Sequence, residues 1–273
     1  MPVDVIGMRR KSVFISGAGR GIGRAIAERF LDEGYIVGAY TRSGHFEWGK
    51  DVEDNLYQGQ VDVADPESYK AAMEDFMSHT GGQLDILVNN AGVAVMGEFE
   101  NQKYEDEKAL FDVNVMGCIN GVHVALPYLK DTKDSQIVNI SSGASFTGTP
   151  DLAVYSAAKF AIKGLTEALD IELMKYGIRV IDVNPMFVKT DMVMDGVKAG
   201  VDVPIFKTLG LTLVPEDVAD VVYKATRDRA RKRPKVHWPV GWQARILSHQ
   251  HLLPNALPRA LTRLMAKRHN KQR

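Results

Sequence analysis

Two side chains that can move a proton stand four residues apart in the segment 154-VYSAAKF-160. Tyr155 and Lys159 share one face of the helix that this segment predicts, so both can reach a single ligand. An ammonium beside a phenol favours the phenolate and lowers the tyrosine pKa from about 10 towards neutrality. The pair makes Tyr155 a candidate general acid or base. In isolation such a pair is more often a core aromatic and a surface charge, and the motifs that accompany it favour the catalytic interpretation.

A hydroxyl group stands thirteen residues before Tyr155. Ser142, in 138-VNISSG-143, comes at the carboxyl end of a predicted strand, where it can hydrogen-bond a substrate oxygen. Ser141 is the competing choice, and the offset from Tyr155 favours Ser142. Because no histidine accompanies the serine in this neighbourhood, a Ser-His-Asp hydrolase is a poor alternative.

A glycine-rich turn, 16-SGAGRGIG-23, follows the first predicted strand. Glycines permit a tight turn and a close backbone approach, and the helix that begins there offers free N–H groups and a positive dipole end to a pyrophosphate. At a strand-to-helix junction, this pattern predicts dinucleotide binding. The residues expected to contact the dinucleotide here are Gly17, Arg20, Gly21, Ile22 and Gly23.

The end of the second predicted strand indicates which dinucleotide is bound. Thr41 and Arg42 stand where an acid would otherwise accept hydrogen bonds from the adenosine ribose, and Arg20 can add a second guanidinium. Each arginine alone is better explained as a solvated charge. Together with the missing acid they favour a 2′-phosphate, so NADP(H) is predicted, with NAD(H) as the open alternative.

Short apolar runs rich in β-branched residues alternate with longer helical patterns, which is typical of an α/β protein with a parallel sheet between layers of helices. Right-handed crossovers then build a doubly wound, seven-stranded, Rossmann-type sheet with its ligand site at the carboxyl ends of the strands. Strands are predicted near residues 12–16, 35–40, 56–60, 84–89, 136–141, 179–183 and 235–238. Helices are predicted near residues 21–33, 66–79, 104–130, 154–176 and 215–229.

Taken together, the glycine turn, 89-NNAG-92, 111-FDVNVMG-117, Ser142 and 155-YSAAK-159 resemble the short-chain dehydrogenase/reductase family, in the family's order over residues 12 to 190. The resemblance implies that Tyr155 exchanges a proton with a carbonyl or alcohol oxygen and that Ser142 orients this oxygen. It also implies that Lys159 binds the nicotinamide ribose and lowers the pKa of Tyr155. Asn114 would hold a helix kink and a water that completes a proton relay.

The resemblance implies further cofactor contacts by position. Asp62 would contact adenine, Asn89 to Gly92 would support the adenosine half, and Thr190 would meet the carboxamide. The full set of these contacts is Asp62, Val63, Asn89, Ala91, Gly92, Pro185, Val188 and Thr190. One position departs from the family, because Met186 follows Pro185 where glycine is usual, and its thioether is expected to narrow the pocket or set the tilt of the nicotinamide.

The segment 192–215, which covers the substrate in this family, is largely apolar. An apolar lining predicts a lipophilic carbonyl or secondary alcohol, such as a steroid, a retinoid or a long-chain keto compound. A lid that packs its apolar side on its own protein or on a neighbouring subunit explains the pattern equally well. The apolar residues are Val193, Met194, Val197, Val201, Val203, Ile205, Phe206, Leu209, Leu211 and Leu213.

The formal net charge of zero is unevenly distributed. Residues 227–273 hold 13 Lys and Arg against one acid, Asp228, while the remainder holds 21 basic and 33 acidic residues. We therefore predict a catalytic domain over residues 1–240 and a basic, partly amphipathic extension over 241–273. The extension could contact an anionic membrane surface, although docking on the acidic body or a partner subunit is favoured. Nucleic-acid binding is not predicted, because no recognition motif accompanies the charge.

The chain of 273 residues, 45% of them hydrophobic, is long enough for one large core. Its single cysteine, Cys118, excludes an intramolecular disulfide framework and a multi-cysteine zinc site, and no metal is expected. With no visible secretory signal, the predicted location is cytoplasmic, or peripheral to a membrane at most.

The resemblance implies a homotetramer or homodimer. The alternative function is a nicotinamide-binding regulatory or scaffold protein with little turnover.

Overall fold

The computed structural model describes residues 9–50, 54–191, 212–228 and 235–250. A seven-stranded parallel sheet with the order β3-β2-β1-β4-β5-β6-β7 forms its centre, which confirms the predicted doubly wound, Rossmann-type α/β fold. The strands are β1 (Ser12–Ser16), β2 (Ile36–Thr41), β3 (Leu56–Gln60), β4 (Ile86–Asn89), β5 (Gln136–Ile140), β6 (Arg179–Pro185) and β7 (His237–Val240). The helices are α1 (Gly21–Asp32), α2 (Pro66–Thr80), α3 (Tyr104–Phe111), α4 (Gly117–Asp131), α5 (Ala153–Leu173), α6 (Pro215–Arg227) and α7 (Trp242–Ser248).

The strand order reverses between β1 and β4, which are neighbours although β2 and β3 come between them in sequence. The loops after these two strands diverge at such a point, and this leaves a crevice at the carboxyl edge of the sheet. The glycine turn after β1 and the segment after β4 therefore face each other across the predicted ligand site.

Two apolar cores cover the two faces of the sheet. Helices α1 and α6 pack on one face, and α2, α4 and α5 contribute to the core of the other. On the second face Phe14 stacks on Tyr40 with ring centroids 4.6 Å apart. Gly38 in β2 makes room for this layer, because a Cβ atom there would lie 2.6 Å from the ring of Phe76.

Local signals explain where α2 begins and ends. The side chain of Asp65 accepts a hydrogen bond from the Glu67 amide at 3.0 Å, and Pro66 occupies the first turn, where its missing N–H is not needed. Gly81 ends the helix in the left-handed conformation with φ of 68°. The β3–α2 loop, which precedes the helix, therefore lies at the carboxyl edge of the sheet.

The helix predicted over residues 104–130 is interrupted. A π-helical turn, Asp112–Met116, separates α3 from α4, which agrees with the kink expected at Asn114. By length and composition the whole stretch Tyr104–Asp131 could cross a membrane, but a core helix of a globular domain meets the same criterion, so this is weak evidence. The sequence patterns also missed α7, which begins inside the predicted extension and packs against β7.

The buried carboxylate of Asp85 joins the amino-terminal edge of the sheet to residue Arg9. Both oxygens of Asp85 accept hydrogen bonds from Arg9 at 2.8 Å, and one also accepts the Ser12 amide at 2.8 Å. We expect Asp85→Ala to lower the free energy of unfolding by about 2–4 kcal/mol, because it leaves a guanidinium and a buried amide without their acceptor.

Urea unfolding followed by circular dichroism measures this loss. Glu28→Ala is the matched control, since it breaks the exposed Arg24–Glu28 pair and should cost about 0.5 kcal/mol or less. Equal losses in the two variants would contradict the structural role of Asp85.

Candidate active site

A cavity of about 370 Å³ lies at the carboxyl edge of the sheet. It is lined by the glycine turn, by the segments after β2, β3, β4, β5 and β6, by the start of α5 and by α7. Of the predicted site residues, those on its wall are Gly17, Arg20, Gly21, Ile22, Gly23, Thr41, Arg42, Asp62, Val63, Ala91, Gly92, Ser142, Tyr155, Lys159, Pro185, Val188 and Thr190. The parallel sheet thus gathers residues separated by more than half of the chain.

The glycine turn forms one end of the cavity and fits a pyrophosphate. Gly17 has φ of 70°, and a Cβ atom there would lie 2.7 Å from the Cα of Ala91, so glycine is needed for both conformation and space. Helix α1 begins at Gly21, and its N-cap residue Arg20 makes no side-chain capping bond. Backbone N–H groups of the first turn are therefore available to an anion.

Asn90 holds this end of the cavity together, and the sequence analysis did not single it out individually. Its side-chain amide donates to the carbonyl oxygens of Ser16 and Gly17, both at 3.0 Å. Asn89, predicted as a cofactor contact, does not reach the wall of the cavity. Its side chain is buried, where it accepts from Tyr69 at 3.2 Å and donates to Asn139 at 2.9 Å. Strand alternation explains the difference, because neighbouring residues point to opposite faces.

The end of β2 and the β3–α2 loop form the region expected to hold the adenosine. Thr41 and the exposed Arg42 lie on the cavity wall with Asp62, whose carboxylate accepts the Ala64 amide at 3.0 Å. Arg20 forms an ion pair with Asp191 at 3.5 Å, a partner that sequence reasoning missed. Since both side chains are more than 60% exposed, this pair is weak enough to be exchanged for a phosphate.

The reacting groups lie on the wall of the same cavity. Ser142 follows β5 and caps a short 3₁₀ turn by accepting the Ala144 amide at 3.2 Å. Its hydroxyl also acts on Tyr155, which sits in the first turn of α5, by lowering the pKa of the phenol. The structure therefore brings together the two hydroxyl groups that the sequence analysis selected.

The predicted effect of Lys159 on Tyr155 is not found, and this expectation was wrong for this geometry. Burial raises the pKa of Tyr155 above its ordinary value, and the nearby Ser142 hydroxyl opposes the rise. The Lys159 ammonium lies 5.5 Å from the centroid of the tyrosine ring and donates to the Ile140 carbonyl at 2.9 Å. Burial lowers the pKa of Lys159 itself to about 8, so its own charge is destabilised.

Asn114 lies behind the reacting groups rather than on the wall of the main cavity. Its side chain accepts the Val93 amide at 2.8 Å and donates to the Val93 carbonyl at 2.9 Å. A separate small cavity of about 10 Å³ touches Asn114, Lys159 and Cys118. A space of this size holds about one water, which agrees with the relay implied by the family resemblance.

The cavity wall also contains residues that the sequence analysis did not predict. They come from the segments after β4, β5 and β6, from the start of α5 and from α7: Met96, Thr147, Thr149, Leu152, Phe187 and Leu247. Most of the apolar segment predicted as a lid, residues 192–211, and the amphipathic stripe Leu257, Leu261, Leu264 and Met265 lie outside the described residues. Leu213 is described, and it pairs with Val188 as an isolated bridge.

The depressed pKa of Lys159 predicts a pH dependence of stability for the protein without added cofactor. Between about pH 8 and the unfolded value of 10.5, the unfolded chain binds a proton that the folded protein does not. The free energy of unfolding should therefore rise with pH in this window, relative to Lys159→Met, by about 1 kcal/mol per pH unit. Urea unfolding at pH 8.0 and 9.5 measures this difference, and parallel pH profiles of the two proteins would contradict the buried, charge-destabilised lysine.

Three curated proteins show what this chain is similar to. It is 33% identical over 178 residues to a 3-ketodihydrosphingosine reductase of Bacteroides thetaiotaomicron, covering 65% of the chain and 64% of that protein. It is 34% identical over 189 residues to the 3-oxoacyl-[acyl-carrier-protein] reductase FabG of Staphylococcus aureus, covering 67% and 76%. It is 30% identical over 223 residues to a 3-alpha-(or 20-beta)-hydroxysteroid dehydrogenase of Mycobacterium bovis, covering 81% and 84%.

Solved structures share the fold and include two nicotinamide cofactors. The 3-ketoacyl-(acyl-carrier-protein) reductase from Brucella melitensis, complexed with NADH, matches with a TM-score of 0.76 at 28% identity, covering 86% of this chain and 98% of that one. ElxO with NADP bound matches with a TM-score of 0.73 at 26% identity, covering 85% and 97%. The family model for short chain dehydrogenase matches residues 11–199, so the chain belongs to the short-chain dehydrogenase/reductase family of oxidoreductases.

Proposed function

We propose that this protein is an NADP(H)-dependent oxidoreductase that interconverts a lipophilic carbonyl compound and its secondary alcohol. One observation carries the proposal: Ser142, Tyr155 and Lys159 line the same cavity as the glycine turn. A cavity that contains a proton-donating side chain and a glycine turn suited to an anion fits a dinucleotide and a small substrate side by side. When bound, the dinucleotide supplies hydride chemistry at nicotinamide C4.

Side chains of the protein then transfer the proton and orient the substrate oxygen. The raised pKa of Tyr155 keeps its phenol protonated at neutral pH, which suits donation to a carbonyl oxygen that becomes an alcohol. Ser142, which lines the same cavity as Tyr155, orients the same oxygen. In oxidation the tyrosinate accepts the proton, and approach of the Lys159 ammonium would favour that form.

The preference for NADP(H) rests on the charges near the end of β2. Arg42 lies beside Thr41 on the cavity wall, and Arg20 lies on the glycine turn. Arg20 is paired with Asp191 in an exposed ion pair. Arg42 is therefore the residue on which we base the proposed recognition of a 2′-phosphate.

The proposal of a lipophilic substrate is supported by the apolar part of the cavity wall. Met96, Leu152, Met186, Phe187 and Leu247 line this region, and apolar walls favour ligands that lose little by leaving water. The relatives named above are a ketodihydrosphingosine reductase, an oxoacyl reductase and a hydroxysteroid dehydrogenase, whose names all describe lipid-like compounds. The homo-oligomer, the cytoplasmic location and the peripheral membrane contact stay predictions.

Replacement of Tyr155 tests the proposed proton transfer. We expect Tyr155→Phe to lower kcat for NADPH-dependent ketone reduction by about 100-fold or more, because the ring stays while the proton donor is lost. NADPH binding, followed by its fluorescence, should change little. Full turnover by the variant would contradict the assignment, and tight cofactor binding without turnover by the natural protein would favour the regulatory alternative.

Replacement of Arg42 tests the cofactor preference. We expect Arg42→Ala to raise KM for NADPH by about 10- to 100-fold while KM for NADH stays the same, because a charged hydrogen bond to the 2′-phosphate is lost. Arg24→Ala is the matched control, since Arg24 lies on α1 in an exposed pair with Glu28. Equal effects of both variants would show a general loss of positive charge rather than specific recognition.

A further inference from the structure

Gly143 and Met186 fit against each other on the wall of the cavity. A Cβ atom added to Gly143 would overlap the sulfur of Met186 and would lie 3.4 Å from its Cγ and 3.5 Å from its Cε. Gly143 is absent from the glycines with positive φ, so its backbone conformation does not itself demand glycine. Space for the thioether is therefore the reason for glycine at this position.

The pair lies next to the groups that bind the reacting oxygen. Gly143 directly follows Ser142, and Met186 directly follows Pro185 at the end of β6. Both residues line the main cavity together with Tyr155. The bulk of the Met186 side chain thus narrows the cavity at the place where substituents of a carbonyl carbon would lie.

The backbone on both sides of the pair is held in place. Ser145, in the same turn as Gly143, donates its hydroxyl to the Ser142 carbonyl at 2.6 Å and receives a hydrogen bond from Asn184 of β6 at 3.2 Å. The Met186 amide donates to the Val240 carbonyl at 3.4 Å. Because neither segment can easily move away, a larger residue at position 143 would push the flexible thioether towards the cavity.

We infer that Gly143 and Met186 form a size-matched pair that selects carbonyl compounds with one slender, unbranched substituent. A linear keto chain fits beside the thioether, whereas a ketone with bulky groups on both sides of the carbonyl does not. This inference rests on the proposed function for its substrate class. The size match itself is a property of the folded chain, and it can be tested without turnover.

The first test is a double-mutant cycle of thermal stability with Gly143→Ala, Met186→Ala and the double variant. Gly143→Ala should lower Tm by about 3 °C or more, because the added methyl group overlaps the thioether. In the Met186→Ala background the same change should have almost no effect. Gly148→Ala is the control, since a Cβ atom there meets no atom within 4 Å. Additive shifts in Tm would overturn the size match.

The second test measures selectivity by binding, as the rise in Tm that a ketone produces at saturating NADP⁺. The probes are 2-octanone, which has a methyl group on one side of its carbonyl, and dicyclohexyl ketone, which has rings on both sides. We expect the natural protein to be protected by 2-octanone alone, and Met186→Ala to gain at least about tenfold in affinity for dicyclohexyl ketone. Protection of the natural protein by both ketones, or by neither, would overturn the selection.

The two ways of failing are separable. Absence of ketone turnover in the natural protein would contradict the proposed oxidoreductase activity, while the stability cycle and the binding assay would still decide the role of the pair. Conversely, additive Tm shifts with normal turnover would contradict the size match between Gly143 and Met186 but would not contradict the proposed function.

Discussion

The hydrogen bond from the Lys159 ammonium to the Ile140 carbonyl is the interaction on which the site depends. It joins α5 to the last residue of β5 inside the protein, where a charged group is costly unless it has a partner. Ser142 stands two residues after Ile140, and Tyr155 stands one helical turn before Lys159. This contact therefore helps to hold the serine in position relative to the tyrosine. Burial lowers the pKa of the lysine, and the hydrogen bond to the carbonyl partly offsets that cost by favouring the charged form.

The sheet extends this local constraint across the cavity. All seven strands are parallel, so the ends of β1, β2, β4, β5 and β6 meet at one edge. The reversal of order between β1 and β4 opens that edge, and the side chain of Asn90 bonds the segment after β4 to the glycine turn. The glycine turn and the proton-transfer groups are thus held by different strands of the same sheet. A folded sheet would present a dinucleotide and a substrate to each other without further rearrangement of these strands.

Much of this arrangement could be predicted from the sequence. The alternation of apolar runs and helical patterns predicted seven strands and the doubly wound fold, because burial on both faces of a parallel sheet leaves a continuous apolar signal. Tyr155, Lys159 and Ser142 were found because their spacing is local and their position after a strand is fixed by the fold. The glycine turn was found for the same reason, since its conformation and close contacts restrict residue type.

What the sequence did not predict depends on contacts between distant segments. The Arg20–Asp191 pair joins residues 171 positions apart, and α7 brings Leu247 to a cavity whose other lining residues lie between Gly17 and Asp191. The sequence analysis predicted a lowered pKa for Tyr155, whereas the structure raises it. Burial of the phenol and the position of Lys159 decide the direction of this shift, and i, i+4 spacing reveals neither. Asn89 was misplaced because a shift of one residue along a strand moves a side chain to the other face.

Transfer of deuterium from the cofactor to a ketone tests the proposed hydride transfer most directly. NADPH with both hydrogens at nicotinamide C4 replaced by deuterium would be incubated with the protein and a panel of short polar and long apolar ketones, and the alcohols would be analysed by mass spectrometry. We predict one deuterium on the carbinol carbon of the apolar products. Bound NADPH that releases no label to any ketone in the panel would contradict it.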